Sequence, residues 1–320
     1  MATLKIVHLT APEKGGSQLK LFVRFENGGR AILKPQRFDR QNSIRNRNQF
    51  HYFDYERANA EVASYHLDRV LGFYRVPPTV GRVVNITKEI EPLAYGSFKS
   101  TFFKSPIGST CFFGHCWIYC HKAYAFCGNP DMIEVSLQAM LPSYHRRYQL
   151  TTPWVQSFKS EKGEWETNSS FCDKFKPTLK ENRFLLDLID VHIFDFIADN
   201  KDRHEVETFA HFANQSAPIL FDNGKAFGHP DFDELSIMAP LYQCCLVRHS
   251  TLEKLLSFQR SPNRRLSQAF IESSKKDPIY PLVRDDFPPA LDRRLETILE
   301  TIRKCVKVNG FENVVFDDGI

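Results

Sequence analysis

Asp202-Arg203-His204-Glu205-Val206-Glu207, followed after a short apolar run by Asp222-Asn223-Gly224, is the stretch on which the reading of the fold turns. Phosphoryl transfer asks little covalent chemistry of a protein. One carboxylate must orient the acceptor hydroxyl, and another must hold metal against the nucleotide phosphates. Asp202 and Asp222 supply such a pair. Asp-rich turns also cap helices and close loops through their own backbone bonds, so the motif needs support from its surroundings.

Residues 184–199 read as an amphipathic helix that delivers the chain to Asp202, and Pro218-Ile219-Leu220-Phe221 reads as a short apolar strand leading into Asp222. The catalytic loop of protein kinases has the same order: an aspartate, a metal-side residue five positions on, then a strand and a DFG turn. Here Glu207 takes the position of the usual Asn and Asn223 that of the Phe. An ordinary kinase pattern is therefore not matched.

The chain has 320 residues, 42% of them hydrophobic, with 28 Phe, enough to bury a large core in one domain or two lobes. Lys and Arg number 42 against 38 Asp and Glu, and a net charge of +4 is too small to point to nucleic acid. Arg146-Arg147 and Arg293-Arg294 read as solvated faces. No run is long and apolar enough for a membrane span, and Met1-Ala2-Thr3-Leu4 lacks the apolar core of a secretory signal.

Eight cysteines stand at 111, 116, 120, 127, 172, 244, 245 and 305. An even, clustered set suits disulfides in an oxidising compartment. The rival is a zinc site built from the first four with His115 or His121, though their spacing is not that of a two-knuckle zinc motif. Sequons at Asn85, Asn168 and Asn214 fit a secretory glycoprotein.

Working outward, residues 19–25 and 30–34 read as strands joined at Asn27-Gly28-Gly29, with Gly15-Gly16-Ser17-Gln18 as a turn able to approach phosphate and Lys34 able to neutralise it. Asp54 is the expected N-cap of a helix over 55–71, closed by Gly72 and carrying both Glu56 and Glu61. Strands follow at 81–86 and 132–141, with a Cys-rich insertion over 105–130 between them. Residues 143–182 read as loop, with Trp154 and Trp165 as packing anchors. Trp117, Tyr119 and His115 of the insertion could contact a sugar, with packing the first reading for Trp117 and Tyr119. A last helix spans 290–308, with Leu291, Leu295, Ile298, Ile302 and Cys305 as its buried stripe and Asn309-Gly310 at its end. The strand–helix–strand order of the first part is the layout of a kinase N-lobe.

Beyond single motifs, the chain resembles the secreted, Golgi-type kinases that include the glycosaminoglycan xylosylkinase, the Golgi casein kinase and its pseudokinase partner. The likeness runs through Gln18-Leu19-Lys20-Leu21, Leu33-Lys34-Pro35, Asn59-Ala60-Glu61, His66-Leu67-Asp68-Arg69, Pro240-Leu241-Tyr242-Gln243-Cys244-Cys245 and Leu291-Asp292-Arg293-Arg294-Leu295. Taken with the N-lobe layout, the likeness implies an α+β, atypical protein-kinase-like two-lobed fold with a disulfide-rich insertion, divided into an N-lobe over 1–141, including insertion and hinge, and a mostly helical catalytic C-lobe over 142–320. The resemblance implies Asp202 as catalytic aspartate and Asp222 as a metal- and nucleotide-binding aspartate. It implies Gln18, Lys34 and Glu207 as nucleotide-side residues, Gln138, Ala139, Met140 and Leu141 as the adenine hinge, and Glu56 as a metal ligand. Where the family commonly reads DRHHYE, this chain has Glu205 and Val206. The resemblance further implies the disulfides Cys111 with Cys127, Cys116 with Cys120, Cys172 with Cys244 and Cys245 with Cys305.

ATP and Mn2+, with Mg2+ as the alternative, are the implied cofactors. Leu71-Gly72-Phe73-Tyr74-Arg75 and Asp277-Pro278-Ile279 look like the xylosylkinase, whereas His51-Tyr52-Phe53-Asp54 and Phe221-Asp222-Asn223-Gly224 look like the protein-kinase branch. The expected acceptor is the 2-OH of xylose in a proteoglycan linkage. A secreted protein bearing Ser-x-Glu motifs is the alternative, and an inactive pseudokinase-like binding protein a further one. Golgi-luminal or secreted location, a signal or anchor outside this sequence, and a monomer complete the expectations.

Overall fold

Side chains along Leu21–Phe25 and Arg30–Pro35 alternate, so that Leu21, Val23, Phe25, Ala31 and Leu33 turn to one face and are buried. The turn between them needs Gly28, which sits at φ +83 and donates its N–H to Phe25 O. In the computed structural model, which describes residues 1–12, 16–42, 56–141, 147–155, 161–178, 183–260, 264–317 and 319, these strands belong to a five-stranded sheet. Its members are β1 (Ile6–Thr10), β2 (Leu21–Phe25), β3 (Arg30–Pro35), β4 (Thr79–Asn85) and β8 (Met132–Ala139). They run in the order β1-β2-β3-β8-β4, with every neighbouring pair antiparallel. β1 was not anticipated; the other four match the predicted strands with ends shifted by one to two residues.

Between β3 and β4 lies α1 (Ala58–Leu71), closed by Gly72 at φ +79 with its N–H on Asp68 O. The helix starts three residues later than predicted, because Arg57 is still extended at φ −107. Glu56 therefore precedes the helix instead of riding on it, and the expected cap, Asp54, lies outside the described residues. Two apolar clusters form. One backs the sheet with Leu9, Leu21, Phe25, Leu33, Phe112 and Leu137; the other, larger, contains Val62, Leu67 and Leu71 of α1 together with the helices that follow. Polar contacts bind α1 to the same later segments: Asn59 Nδ2 donates to Leu282 O at 2.6 Å, and His66 Nδ1 lies 2.8 Å from Ser273 Oγ.

After the short helix α2 (Gly96–Lys99), the insertion folds as a three-stranded sheet of β5 (Phe103–Lys104), β6 (Thr110–Phe112) and β7 (Phe126–Cys127). Disulfides join Cys111 to Cys127, Cys116 to Cys120, Cys172 to Cys244 and Cys245 to Cys305, and no cysteine is free. These are the pairs that the family resemblance implies, and they remove the zinc alternative.

Residues 143–182 are less loop-like than the sequence suggested. They hold β9 (Arg147–Thr151) and α3 (Glu164–Thr167), and Trp154 and Trp165 are buried as expected. The next helix, α4 (Phe184–Ala198), corrects the amphipathic reading, since every residue from Leu185 onward is buried. Its aspartates looked like a solvent face but turn inward onto arginines. Asp187 meets Arg75 at 2.8 Å and Arg248 at 3.0 Å, and Asp195 meets Arg203 at 2.9 Å. Buried charge is tolerable only when paired in this way. β10 (Glu205–Phe209) pairs antiparallel with β9. The predicted apolar strand before Asp222 reduces to one bridge between Glu207 and Ile219.

Short α5 (Ala239–Cys244), β11 (Val247–Arg248), α6 (His249–Arg260) and α7 (Leu266–Ser274) lead to α8 (Pro288–Asn309). Leu291, Leu295, Ile298, Ile302 and Cys305 form its buried stripe, as the periodicity predicts, and Gly310 follows the last turn. β12 (Val315–Phe316) then pairs with β11 in parallel.

Candidate active site

Strand alternation decides which face Lys34 takes. On β3, Ile32 and Lys34 point away from the face of Ala31 and Leu33, into a cleft. The Lys34 ammonium gathers three carboxylates: Glu61 Oε1 at 2.6 Å, Asp222 Oδ1 at 2.6 Å and Glu56 Oε2 at 3.2 Å. Glu61 comes from the first turn of α1, and its second oxygen accepts the Asn223 N–H at 3.1 Å. Arg57 N donates to Gly224 O at 2.7 Å, tying the segment before α1 to the Asp222 turn. A Cβ at Gly224 would fall 2.9 Å from Glu56 Cβ, which accounts for glycine as the third residue of the turn.

These neighbours set the charges. Burial pulls the Lys34 ammonium down, but Asp222, Glu56 and Glu61 together outweigh it and hold the group well above the usual lysine range. Burial pushes Glu56 up to about 7, against the opposing pull of Lys34. The Lys34 ammonium holds Asp222 far below the usual carboxylate range; with the Asp222 side chain 65% exposed, the lysine and not burial dominates there.

Across the cleft, Asp202 is fixed through its backbone, donating its N–H to Asn200 Oδ1 at 3.1 Å and accepting from His204 N at 2.9 Å. Arg203 beside it is buried and grips Asp195 with two bonds of 2.9 Å, Asn223 Oδ1 at 2.6 Å and Phe221 O. One guanidinium thus joins the Asp202 loop to the Asp222 turn. Asp222 itself takes the left-handed conformation at φ +55, which that scaffold maintains.

The cleft encloses about 540 Å³. Of the sequence-predicted residues it brings together Lys34, Gln138, Ala139, Met140, Leu141, Asp202, Glu207 and Asp222. Gln18 and Glu56 do not line it. Gln18 is buried beside it, with Oε1 accepting from Arg37 Nη1 at 2.7 Å, and Glu56 sits behind Lys34. The cleft also contains Lys20, Phe22, Ile32, Ile219, Phe221 and Trp117, which sequence reasoning did not assign to nucleotide contact. Period-two alternation over 19–25 and 30–34, the strands read as β2 and β3, was the available signal for Lys20, Phe22 and Ile32. Trp117 corrects the packing reading, being 73% exposed, while Tyr119 is buried as expected.

A divalent ion with a triphosphate fits this donor set in charge. Glu56, Glu61 and Asp222 bring three carboxylates to one ammonium, and hard oxygen ligands suit Mg2+ or Mn2+, which take their remaining ligands from phosphate and water. Gln18 Nε2 adds a buried N–H donor with no hydrogen-bond partner among the described residues. Among the described residues no three His, Cys, Asp or Glu side chains are already arranged as a metal-ligand set, because the carboxylates close on Lys34 instead.

A family model described as Fam20C, Golgi casein kinase, C-terminal, Fam20, matches residues 1–314. The chain belongs to the Fam20 family. It is 45% identical over 314 residues to the Drosophila melanogaster extracellular serine/threonine protein CG31145, covering 97% of this chain and 59% of that one. Human extracellular serine/threonine protein kinase FAM20C is 43% identical, over 96% of this chain and 53% of its own. The human pseudokinase FAM20A is 42% identical over 94% and 57%, and the human glycosaminoglycan xylosylkinase 38% over 99% and 76%. The chain thus spans little more than half the length of the first three. Its fold is the atypical kinase-like one of the Golgi casein kinase. The crystal structure of that kinase with Mn/ADP bound superposes with a TM-score of 0.92 at 39% identity, over 99% of this chain and 78% of that one. Hydra Fam20 with sugar gives 0.93 at 37%, over 100% and 90%.

Proposed function

We propose that this Fam20 chain transfers the γ-phosphate of ATP to an alcohol in the secretory pathway, and that the alcohol is the 2-OH of xylose in a proteoglycan linkage region. The observation that carries the phosphotransfer reading is the cleft in which Lys34 holds Asp222 at 2.6 Å while Asp202 stands on the same wall-to-wall cavity. In this reading the protein is divided into lobes 1–141 and 142–320, with the hinge Gln138, Ala139, Met140 and Leu141 receiving adenine against Ile32 and Ile219. Lys34 and Gln18 neutralise and bind phosphate oxygens, and Glu207 stands on the nucleotide side. Asp202 orients the acceptor hydroxyl and takes its proton at a carboxylate oxygen as the hydroxyl oxygen bonds to phosphorus and ADP leaves. Asp222 and Glu56 would hold Mn2+, or Mg2+ in its place, which when bound supplies charge neutralisation for the phosphates. Support for the metal and nucleotide comes from the relative solved with Mn/ADP. Four disulfides support a Golgi-luminal or secreted location; no helix among the described residues is long and apolar enough to cross a membrane.

A protein acceptor is the second reading, favoured by identities of 45% and 43% to serine/threonine relatives against 38% to the xylosylkinase. The pseudokinase at 42% shows that overall identity alone does not sort activities. Lys34, Glu56, Asp202 and Asp222 all being present favours an enzyme. The deciding experiment offers labelled ATP and Mn2+ with a galactosyl-xyloside and, separately, a Ser-x-Glu peptide, to wild type and Asp202→Ala. Label on the glycoside, lost in the variant, is expected. Label on the peptide alone would replace the acceptor, and equal background from both proteins would remove the enzyme reading.

A further inference from the structure

The chain has three tryptophans, and two of them are buried, Trp154 at 1% and Trp165 at 5% exposure. Trp117 is the exception at 73%, and it lines the catalytic cleft. Exposing so large an apolar ring runs against the usual distribution, and here it is not the accident of a loose loop. The Cys116–Cys120 bridge closes the loop on either side of it. Trp117 N donates to Gly16 O and Tyr119 N to Ser17 O, each at 3.0 Å, so the loop is stapled to the turn before β2. Tyr119 is buried, and its carbonyl accepts from Arg37, whose guanidinium also holds Gln18.

The staple also fixes which end of the cleft the indole occupies. A Cβ on Gly16 would stand 3.7 Å from Lys20 Nζ, and Lys20 lines the cavity with Lys34 and Asp222, the charged end. The proposed adenine hinge begins at Gln138, which pairs with Ile32, two residues from Lys34 along β3. An exposed, pre-positioned indole at the phosphate end faces whatever brings the hydroxyl to Asp202.

We infer that Trp117 is an acceptor-binding residue whose indole stacks on the apolar face of a pyranose, with the Cys116–Cys120 loop holding it in place. The inference rests on the glycan reading of the site. A pyranose presents a row of C–H groups on one face that suits an aromatic ring, while its hydroxyls are left to polar partners such as Asp202 and His204, both of which line the same cleft.

Because Trp117 is the exposed tryptophan, intrinsic fluorescence reads it selectively. Titration of the Mn2+–ADP-loaded protein with galactosyl-xyloside should give a saturable blue shift that Trp117→Phe abolishes. In turnover assays Trp117→Ala should raise the KM for the glycoside about tenfold, several times more than it raises the KM for ATP, and Trp117→Phe should recover most of that loss. If wild type phosphorylates the glycoside but shows no shift, or Trp117→Ala leaves its KM within twofold, the inference fails and the glycan reading stands. If the KM for ATP rises most, Trp117 contacts nucleotide and the inference fails. If wild type phosphorylates the Ser-x-Glu peptide and not the glycoside, the glycan reading fails and takes the inference with it.

Discussion

Arg203→Met should destabilise the protein by about 3–5 kcal/mol, the usual result of breaking a buried ion pair from one side. Asp195 is fully buried and takes two bonds of 2.9 Å from Arg203; after the substitution Asn200 Nδ2, at 3.3 Å, is the side-chain donor left to it among the described residues. Asn223 Oδ1 and Phe221 O lose their donor as well. A chain of this size should show a fall in Tm of roughly 5–10 °C. Neutralising the stranded charge in Asp195→Asn/Arg203→Met should recover most of the stability, leaving about 1–3 kcal/mol for the bonds that Asn223 Oδ1 and Phe221 O no longer receive from Arg203. Phosphotransfer should not return with it. The link between the Asp202 loop and the Asp222 turn is still cut, and the left-handed Asp222 backbone then leans on the bonds of Asn223 N to Glu61 and Arg57 N to Gly224 O alone from the side of α1. The assay pairs thermal unfolding, disulfides intact, with turnover measured well below every transition. The reasoning is refuted if Arg203→Met unfolds within 1 kcal/mol of wild type, a bound set by the small effects of ordinary surface changes, or if the double variant regains turnover together with stability.

Glu61→Gln should depress turnover at saturating Mn2+, because Lys34 loses its 2.6 Å partner on α1, whereas Glu56→Gln should act mainly at limiting Mn2+ and leave thermal stability near wild type; reversed metal dependence in a Mn2+ titration would exchange their roles. Burial pushes the Asp68 carboxyl up to about 6 from 3.8, so the unfolded chain ionises first. Its contribution to stability is full below about pH 4 and is lost as pH rises through 6, by about 3 kcal/mol. The stability gap between wild type and Asp68→Asn, from urea unfolding at pH 4 and pH 7, should shift in the variant's favour by about 2–2.5 kcal/mol, part of the change being complete already at pH 4, and a pH-independent gap would contradict the shift. Replacing Cys245 and Cys305, separated by 60 residues, with Ser should cost about 2–4 kcal/mol by releasing α8 from α5; an unchanged urea midpoint would show the bridge to be neutral.

Much of the sheet was legible because alternation is a local property: Leu21, Val23 and Phe25 announce their face before any partner strand is known. The same holds for the stripe on α8. The reading faltered where partners lie far away in sequence. Asp187, Asp190 and Asp195 give α4 the look of a solvent-facing helix, and only Arg75, Arg203 and Arg248, brought in by the fold, make them core residues. The start of α1 was misplaced for a related reason. Glu56 continues a helix-compatible run, but Arg57 is held extended by its bond to Gly224, more than 160 positions along the chain. Trp117 was misread because apolar size argues for burial, and a disulfide-closed loop can display such a ring instead.

In kinases that are switched by their helix αC, the lysine–glutamate pair is made or broken as that helix swings against the sheet. α1 carries the corresponding glutamate, yet its Val62, Leu67 and Leu71 are part of the larger apolar cluster, and Asn59 and His66 are bonded to segments beyond residue 270. Swinging it outward would tear open the main core of the molecule, at a cost comparable to global unfolding. The backbone that carries Glu61 towards Lys34 is therefore anchored in the core. In the phosphotransfer reading proposed above, α1 offers no hinge for a switch, and access to the cleft is the point at which the reaction would be governed.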